Sequence, residues 1–191
     1  MSKNRDLILA SARDIFSTRS FEQVTIKEIC RHAGVANSTF YYHFKTKEEL
    51  MDCLRTRDEH PMEHDLLSIL TMPDLMEQTL TACTMCAARA ERHGCTLTTQ
   101  YYKRRLDKGA DTLDSSHRQE HAAAQALIAR AQSEGLILNP APSDQLTQAA
   151  IGLVTSTVID WCVSDGSFDL LPVARQALYV LFGLCSEDVS E

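Results

Sequence analysis

Residues Thr25–Lys47 read TIKEICRHAGVANSTFYYHFKTK, and the spacing inside this stretch decides the fold. Thr25 and Glu28 stand in the T-x-x-E order of a capping box, so a helix is predicted to start there. Ile26, Ile29, Cys30 and Ala33 recur at i, i+3, i+4 and i+7, one apolar face of that helix. Gly34 follows the last of them, where a left-handed residue ends a helix. Asn37 or Ser38 is placed to cap a second helix, in which Phe40 and Phe44 lie four apart and turn inward together. Asn37, Ser38, Thr39, Tyr41, Tyr42 and His43 are then left outward. That outward set has no acid, two adjacent tyrosines and several small hydrogen-bonding groups. A helix-turn-helix requires such a slim second helix, able to enter the major groove and meet base edges and phosphates. Thr46 and Glu49 form a second capping box and set Lys47 in the first turn of the next helix, where N–H groups and a cation meet a phosphate.

The segment T-I-K-E-I-C-R-H-A-G-V-A-N-S-T-F-Y-Y-H-F-K-T-K-E-E-L resembles the DNA-binding segment of the tetracycline-repressor (TetR) family, in particular through G-V-x-x-x-T-x-Y-x-H-F-x-x-K-x-x-L. The match covers about the first quarter of the chain. The resemblance implies an all-α homodimer of about nine helices, with a helix-turn-helix DNA-binding domain at 1–47 and a ligand-binding and dimerisation domain at 48–191. Position by position it assigns DNA contact to Thr25, Lys27, Asn37, Ser38, Thr39, Tyr41, Tyr42, His43 and Lys47. Asn37 is the best placed to read a base edge, because an amide pairs in a bidentate way with adenine.

Length and composition bound the remainder. The chain has 191 residues, 44% hydrophobic and 24% charged, with a net charge of −7. Acidity would argue against a nucleic-acid partner, but the charge is unevenly spread. Residues 1–47 hold 8 Lys and Arg against 4 Asp and Glu, whereas the remainder holds 11 against 22. Phosphate attraction is screened beyond about 8 Å at physiological salt, so the local excess governs. The N-terminus reads as an amphipathic helix rather than a signal peptide, and no apolar run is expected to reach membrane-spanning length. A cytoplasmic protein with no membrane partner is expected. Seven cysteines, an odd number, argue against a disulfide framework.

Beyond Lys47 the pattern predicts helices from Thr46 to about Arg57, over Met62–Leu70, from Pro73 to about His93 with Gly94 as its stop, over Thr96–Lys108, over Ser115–Glu134, and two apolar helices from Ser143 and Pro172. The last pair, joined through Asp165-Gly166-Ser167, resembles the family's dimer interface, with Leu153, Thr157, Trp161, Leu178 and Phe182 at the contact and Gly152 and Gly183 allowing close approach. By family position alone, a ligand pocket would be walled by Leu54, Met62, Leu66, Met76, Leu80, Tyr101, Tyr102, His121 and Ile128.

Cys83 and Cys86 form a C-x-x-C that could sense redox state or hold a metal with Cys95 and His93, although small buried cysteines are the ordinary alternative. His117 and His121 have the spacing of two metal ligands, yet read more simply as a helix face. The run Lys103, Arg104, Arg105 and Lys108 reads as a solvated face rather than a second phosphate patch. There is no nucleophile elbow and no phosphate-binding glycine loop, so neither an enzyme nor a cofactor is expected. The function implied is a DNA-binding regulator, expected to be a repressor that a small molecule releases from a double-stranded operator. The rival is a redox- or metal-responsive regulator using Cys83 and Cys86 with the same head.

Overall fold

In the computed structural model, residues 3–59, 62–108 and 115–184 are described. Among them the chain is all helical, in nine α-helices and one short 3-10 turn. These are α1 (Lys3–Phe16), the turn Phe21–Gln23, α2 (Ile26–Ala33), α3 (Asn37–His43), α4 (Lys47–Glu59), α5 (Met62–Leu70), α6 (Leu75–Lys108), α7 (Ser115–Ser133), α8 (Ser143–Val163) and α9 (Leu170–Phe182). The side chains of Met62 and His117, and the whole of Cys185, lie outside the described residues.

Two apolar cores form. The first gathers Ile8, Leu9, Ala12 and Phe16 of α1, Val24, Ile29 and Cys30 around α2, Phe40 and Phe44 at α3, and Leu50, Met51 and Leu54 of α4. Leu97, from the far half of α6, joins this core. The second core lies among α5 to α9 and centres on Leu80, Ile128, Leu146, Val154, Val158, Leu178 and Phe182. Leu54 thus belongs to the head and not to a ligand wall, because α4 is still packing on the head at that point.

Helix ends follow from local chemistry. The capping box at Thr25 is complete. The Glu28 N–H donates to Thr25 Oγ1 at 3.3 Å, and the Thr25 N–H donates to Glu28 Oε2 at 2.8 Å. Arg19 donates to Glu28 Oε1 at 2.9 Å and to the Gln23 carbonyl at 2.8 Å, so the chain leaving α1, the 3-10 turn and α2 are tied through one guanidinium. The second box is altered. Glu49 N–H donates to Thr46 Oγ1 at 3.1 Å, but Glu49 Oε2 accepts from Lys45 N–H, one residue further out, at 2.7 Å. Two expected caps are corrected: Ala36 precedes α3 and Pro142 precedes α8, neither with a side-chain cap, so Asn37 and Ser143 are first helical residues.

Gly94 does not end a helix; it breaks one. Its φ of 78° and ψ of 163° interrupt α6 while the chain continues in helical form on both sides. Only glycine tolerates that region without strain. The break turns the second segment towards the head, which is how Leu97 reaches the first core. Within the protomer, a Cβ built at the exposed Gly152 meets nothing within 4 Å, and Gly183 closes α9 against Leu138. One helix, Ser143–Val163, is long and apolar enough to cross a membrane by length and composition, which the sequence pattern had not suggested. Its inner face, Leu146, Ala150, Val154, Val158 and Trp161, is buried in the second core.

The Thr25 N–H, followed by Arg19, pulls the Glu28 carboxyl from its ordinary 4.5 down to about 2. A depressed carboxyl stabilises the fold fully above pH 4.5 and loses that contribution as the pH falls towards 2. Glu28→Gln should therefore lose less stability than the wild type across that window in urea unfolding at stepped pH. Parallel curves for the two proteins would contradict this role for the carboxylate.

Candidate nucleic-acid interface

The head presents α3 on a fixed base. Seven residues are too few for an independent helix, so its position comes from packing. Phe40 and Phe44 are 0% and 1% exposed, with ring centroids 5.6 Å apart, and Arg5 covers the Phe44 ring at 5.4 Å. Gly34, at φ 67° and ψ 31°, turns the chain out of α2, and the Val35 N–H returns to the Cys30 carbonyl at 3.0 Å. The opposite side of α3 faces outward. Asn37 and Ser38 are exposed, and Tyr41 and Tyr42 are 57% and 84% exposed. Thr39 and His43 are half-buried, with the Tyr42 and His43 rings edge to face at 4.9 Å. Because Ala36 takes the cap position, the Asn37 amide is not committed to holding the helix.

Thr25 and Lys27 are exposed at the start of α2. An open depression between α2 and α3 is lined by Thr25, Lys27, Glu28, Cys30, Arg31, Val35, Ala36 and Asn37. Arg31 and Lys45 are also exposed and were missed in the sequence reading. Arg31 lies four residues after Lys27, on the same side of α2, and that spacing was a usable signal.

Lys47 is placed differently from the expectation. Its Nζ donates to the Phe21 carbonyl at 2.6 Å and the Val24 carbonyl at 2.7 Å, and lies over the Phe21 ring at 4.1 Å. The ammonium therefore closes the 3-10 turn onto α4 instead of reaching outward. The Phe21 carbonyl also takes the Val24 N–H at 3.4 Å, and Lys47 supplies its second donor and a donor for the Val24 carbonyl.

Five of the expected pocket residues gather at the second core. Leu80 and Ile128 are fully buried in the second core, Leu66, Met76 and Tyr102 pack at its edge, and Tyr101 and His121 are half-buried. Between α6 and α7, Arg89 and Glu120 form a largely buried ion pair. Burial, with Cys86 nearby, pushes the Tyr102 hydroxyl up, and Cys86 has the Thr155 side chain as a hydrogen-bonding neighbour.

The dimer contacts need correction too. Trp161, Leu178 and Phe182 are 8%, 0% and 0% exposed and fill the protomer's own core; Leu153 and Thr157 are half-buried. The outward stripe of α8 is Gly152, Ser156, Ile159 and Val163, and that of α9 includes Val173 and Val180. Both helices are apolar nearly all round, so apolarity alone does not separate Trp161, Leu178 and Phe182, which lie inside, from the outward stripe. Burial pushes the Cys83 thiol up to about 12 and the Cys86 thiol up to about 11, and both lie on α6, with Cys83 buried in the second core and Cys86 packed against it. Among the described residues, no three His, Cys, Asp or Glu stand together as metal ligands.

Residues 8–53 match the family described as bacterial regulatory proteins, tetR family. Over 179 residues the chain is 23% identical to the transcriptional repressor BepR of Brucella suis, covering 89% of this chain and 86% of that protein. Other regulators align over the head alone, for instance at 36% identity over 55 residues, where the chain spans 28% of the relative's length. A TetR-family regulator from Pectobacterium atrosepticum has the same fold, with a TM-score of 0.71 at 22% identity, over 95% of this chain and 94% of that one. The regulator FadR of Bacillus subtilis, solved with stearoyl-CoA, superposes with a TM-score of 0.61 at 18% identity, over 93% and 97%.

Lys47→Ala should lower stability by about 1.5–3 kcal/mol, the usual range for hydrogen bonds to a charged group, and leave the salt dependence of DNA binding unchanged. Lys27→Ala and Arg31→Ala should leave stability near wild type and each flatten the salt slope by about one. Urea unfolding and DNA titration at several salt concentrations check both. A flattened slope for Lys47→Ala, at wild-type stability, would reverse the assignment.

Proposed function

Because the chain belongs to the tetR family of bacterial regulatory proteins, and is a transcriptional regulator of that type, we propose that it is a cytoplasmic repressor that leaves its operator when a small molecule binds. The observation that carries this reading is the exposed, acid-free face of α3 set on buried Phe40 and Phe44. On it, Asn37 reads a base edge, while Ser38, Thr39, Tyr41, Tyr42 and His43 meet bases and backbone. Thr25, Lys27 and Arg31 of the neighbouring helix hold phosphates. Phosphate contacts fix register and supply most of the affinity; base contacts supply the preference.

The regulator acts as a homodimer, since one seven-residue helix reads too few base pairs to find an operator alone. The face proposed for pairing is the outward stripe of α8 and α9. Ile159 and Val163 are 42% and 80% exposed, and Val173 and Val180 are 44% and 71% exposed. Such a row of large apolar groups on two adjacent helices fits a four-helix bundle with a second copy. Gly152 and Ser156 on the same stripe allow close approach.

The effector is proposed to bind in the second domain, where the Arg89–Glu120 pair, Tyr102 and Thr155 bring polar groups into an apolar core. To shift operator occupancy strongly it must prefer the released state by about 5 kcal/mol. Its signal reaches the head through α6. Leu97 lies in the head's core, and Gln100 donates to Glu22 at 3.3 Å.

Gel retardation with the DNA upstream of its own gene tests the assignment. Asn37→Ala should relax preference at one base pair of each half-site while leaving the others; uniform weakening at every position would reject base reading. Val163→Glu with Val180→Glu should convert the dimer to monomers in analytical ultracentrifugation and abolish retardation. An unaltered dimer would place the interface elsewhere.

A further inference from the structure

The break at Gly94 brings together two cysteines that are distant in sequence. Cys95 opens the second segment of α6, and Cys162 lies in the last turn of α8. Cys95 Sγ lies 3.5 Å from the Cys162 carbonyl oxygen, and Cys162 Sγ lies 4.0 Å from that of Cys95. Each sulfur thus reaches the other residue's main chain across the same gap. The Thr99 hydroxyl, one turn along α6, lies 3.9 Å from Cys95 Sγ and is also a hydrogen-bonding neighbour of the Cys162 thiol. Both cysteines are half-buried, whereas Cys30 and Cys83 are each 2% exposed. Cys83 and Cys86 lie on one helix; Cys95 and Cys162 join two.

We infer that Cys95 and Cys162 form an oxidation site that closes to an intrachain disulfide in the presence of a hydroperoxide. Each sulfur lies within 4.0 Å of the other residue's carbonyl oxygen, so the two main chains are in contact where the bridge would form. Cys95 takes the oxidant first, because burial pushes the Cys162 thiol up to about 11 and it keeps its proton. The Cys95 sulfur attacks the peroxide, an S–O bond forms as the O–O bond breaks, and the thiol proton leaves with the alcohol. Cys162 sulfur then attacks the sulfenic acid; the S–S bond forms, the S–O bond breaks, and water leaves with the Cys162 proton. The pair gives up two electrons and the hydroperoxide accepts them.

The position of the bond gives it a consequence. Leu97 follows Cys95 by two residues and is in the head's core, and Gln100 and Lys103 face Glu22 of the head. The disulfide ties this segment to α8 just beside the break at Gly94. It does so whether or not the head binds DNA.

The test uses the full chain, reduced and then treated with hydrogen peroxide, alkylated and digested with trypsin. Trypsin isolates Cys95 in His93–Lys103 and Cys162 in Ala131–Arg175, each with a single cysteine. The expected result is a linked pair of these peptides, about 2 Da lighter than their sum, in a chain that still runs as a monomer on a non-reducing gel and reverts with dithiothreitol. Cys95→Ser and Cys162→Ser each abolish the link, and the Cys83→Ser/Cys86→Ser double variant keeps it. Amide hydrogen exchange over 97–103 slows several-fold on oxidation. A link between chains, a link through Cys86, or Cys95 recovered as unlinked sulfinic acid would overturn the site. A correct link with unchanged exchange would overturn the clamp.

Discussion

Every outward position of α3 depends on the burial of Phe40 and Phe44 beneath it. A helix of seven residues without a side-chain cap has little stability of its own. Two aromatic rings four residues apart supply what its length does not, by fixing its axis and its rotation at once. With those rings in the core among Ile8, Ala12, Phe16, Ile29 and Leu50, the remaining positions have no choice of direction. Asn37, Ser38, Tyr41 and Tyr42 project into solvent because the fold has assigned their helix's other side.

The same constraint explains the supporting contacts. A fixed α3 needs a fixed turn before it and a fixed helix after it. Gly34 provides the first, and the Thr25–Glu28 box with Arg19 holds the helix from which that turn departs. The Lys47 ammonium provides the second by joining the Phe21 and Val24 carbonyls to the start of α4. Glu22 lies within the turn that Lys47 closes, and Gln100 and Lys103 of α6 approach it there. The Lys103 pair is exposed and contributes little energy, so Leu97 carries most of the grip between the domains. The head is thus joined to the larger domain by α4 through the chain and by the second segment of α6 through packing.

The head was legible because short-range rules act there without competition. A capping box, a glycine after an apolar face and two phenylalanines at i, i+4 each specify one local outcome, and the outcomes agree. The larger domain was legible in its helices but not in their facing. In α8 and α9 apolar residues occur on nearly every side, so periodicity does not say which stripe enters the core and which awaits a partner; Trp161 and Val163 look alike until the helices are packed. Lys47 shows a different limit. Its partners are main-chain carbonyls 26 and 23 residues away, and carbonyls leave no mark in sequence. The meeting of Cys95 and Cys162, 67 residues apart, is hidden for the same reason, whereas Cys83 and Cys86 attract notice only by adjacency.

In the proposed complex two copies of α3, one from each subunit, enter successive major grooves of one duplex. Hydroxyl-radical footprinting of a DNA fragment selected from random sequence by the dimer tests this directly. Two protected segments related by approximate twofold symmetry are expected, with centres about 34–36 Å apart along the helix axis. A single protected segment, or protection without a fixed spacing, would contradict it.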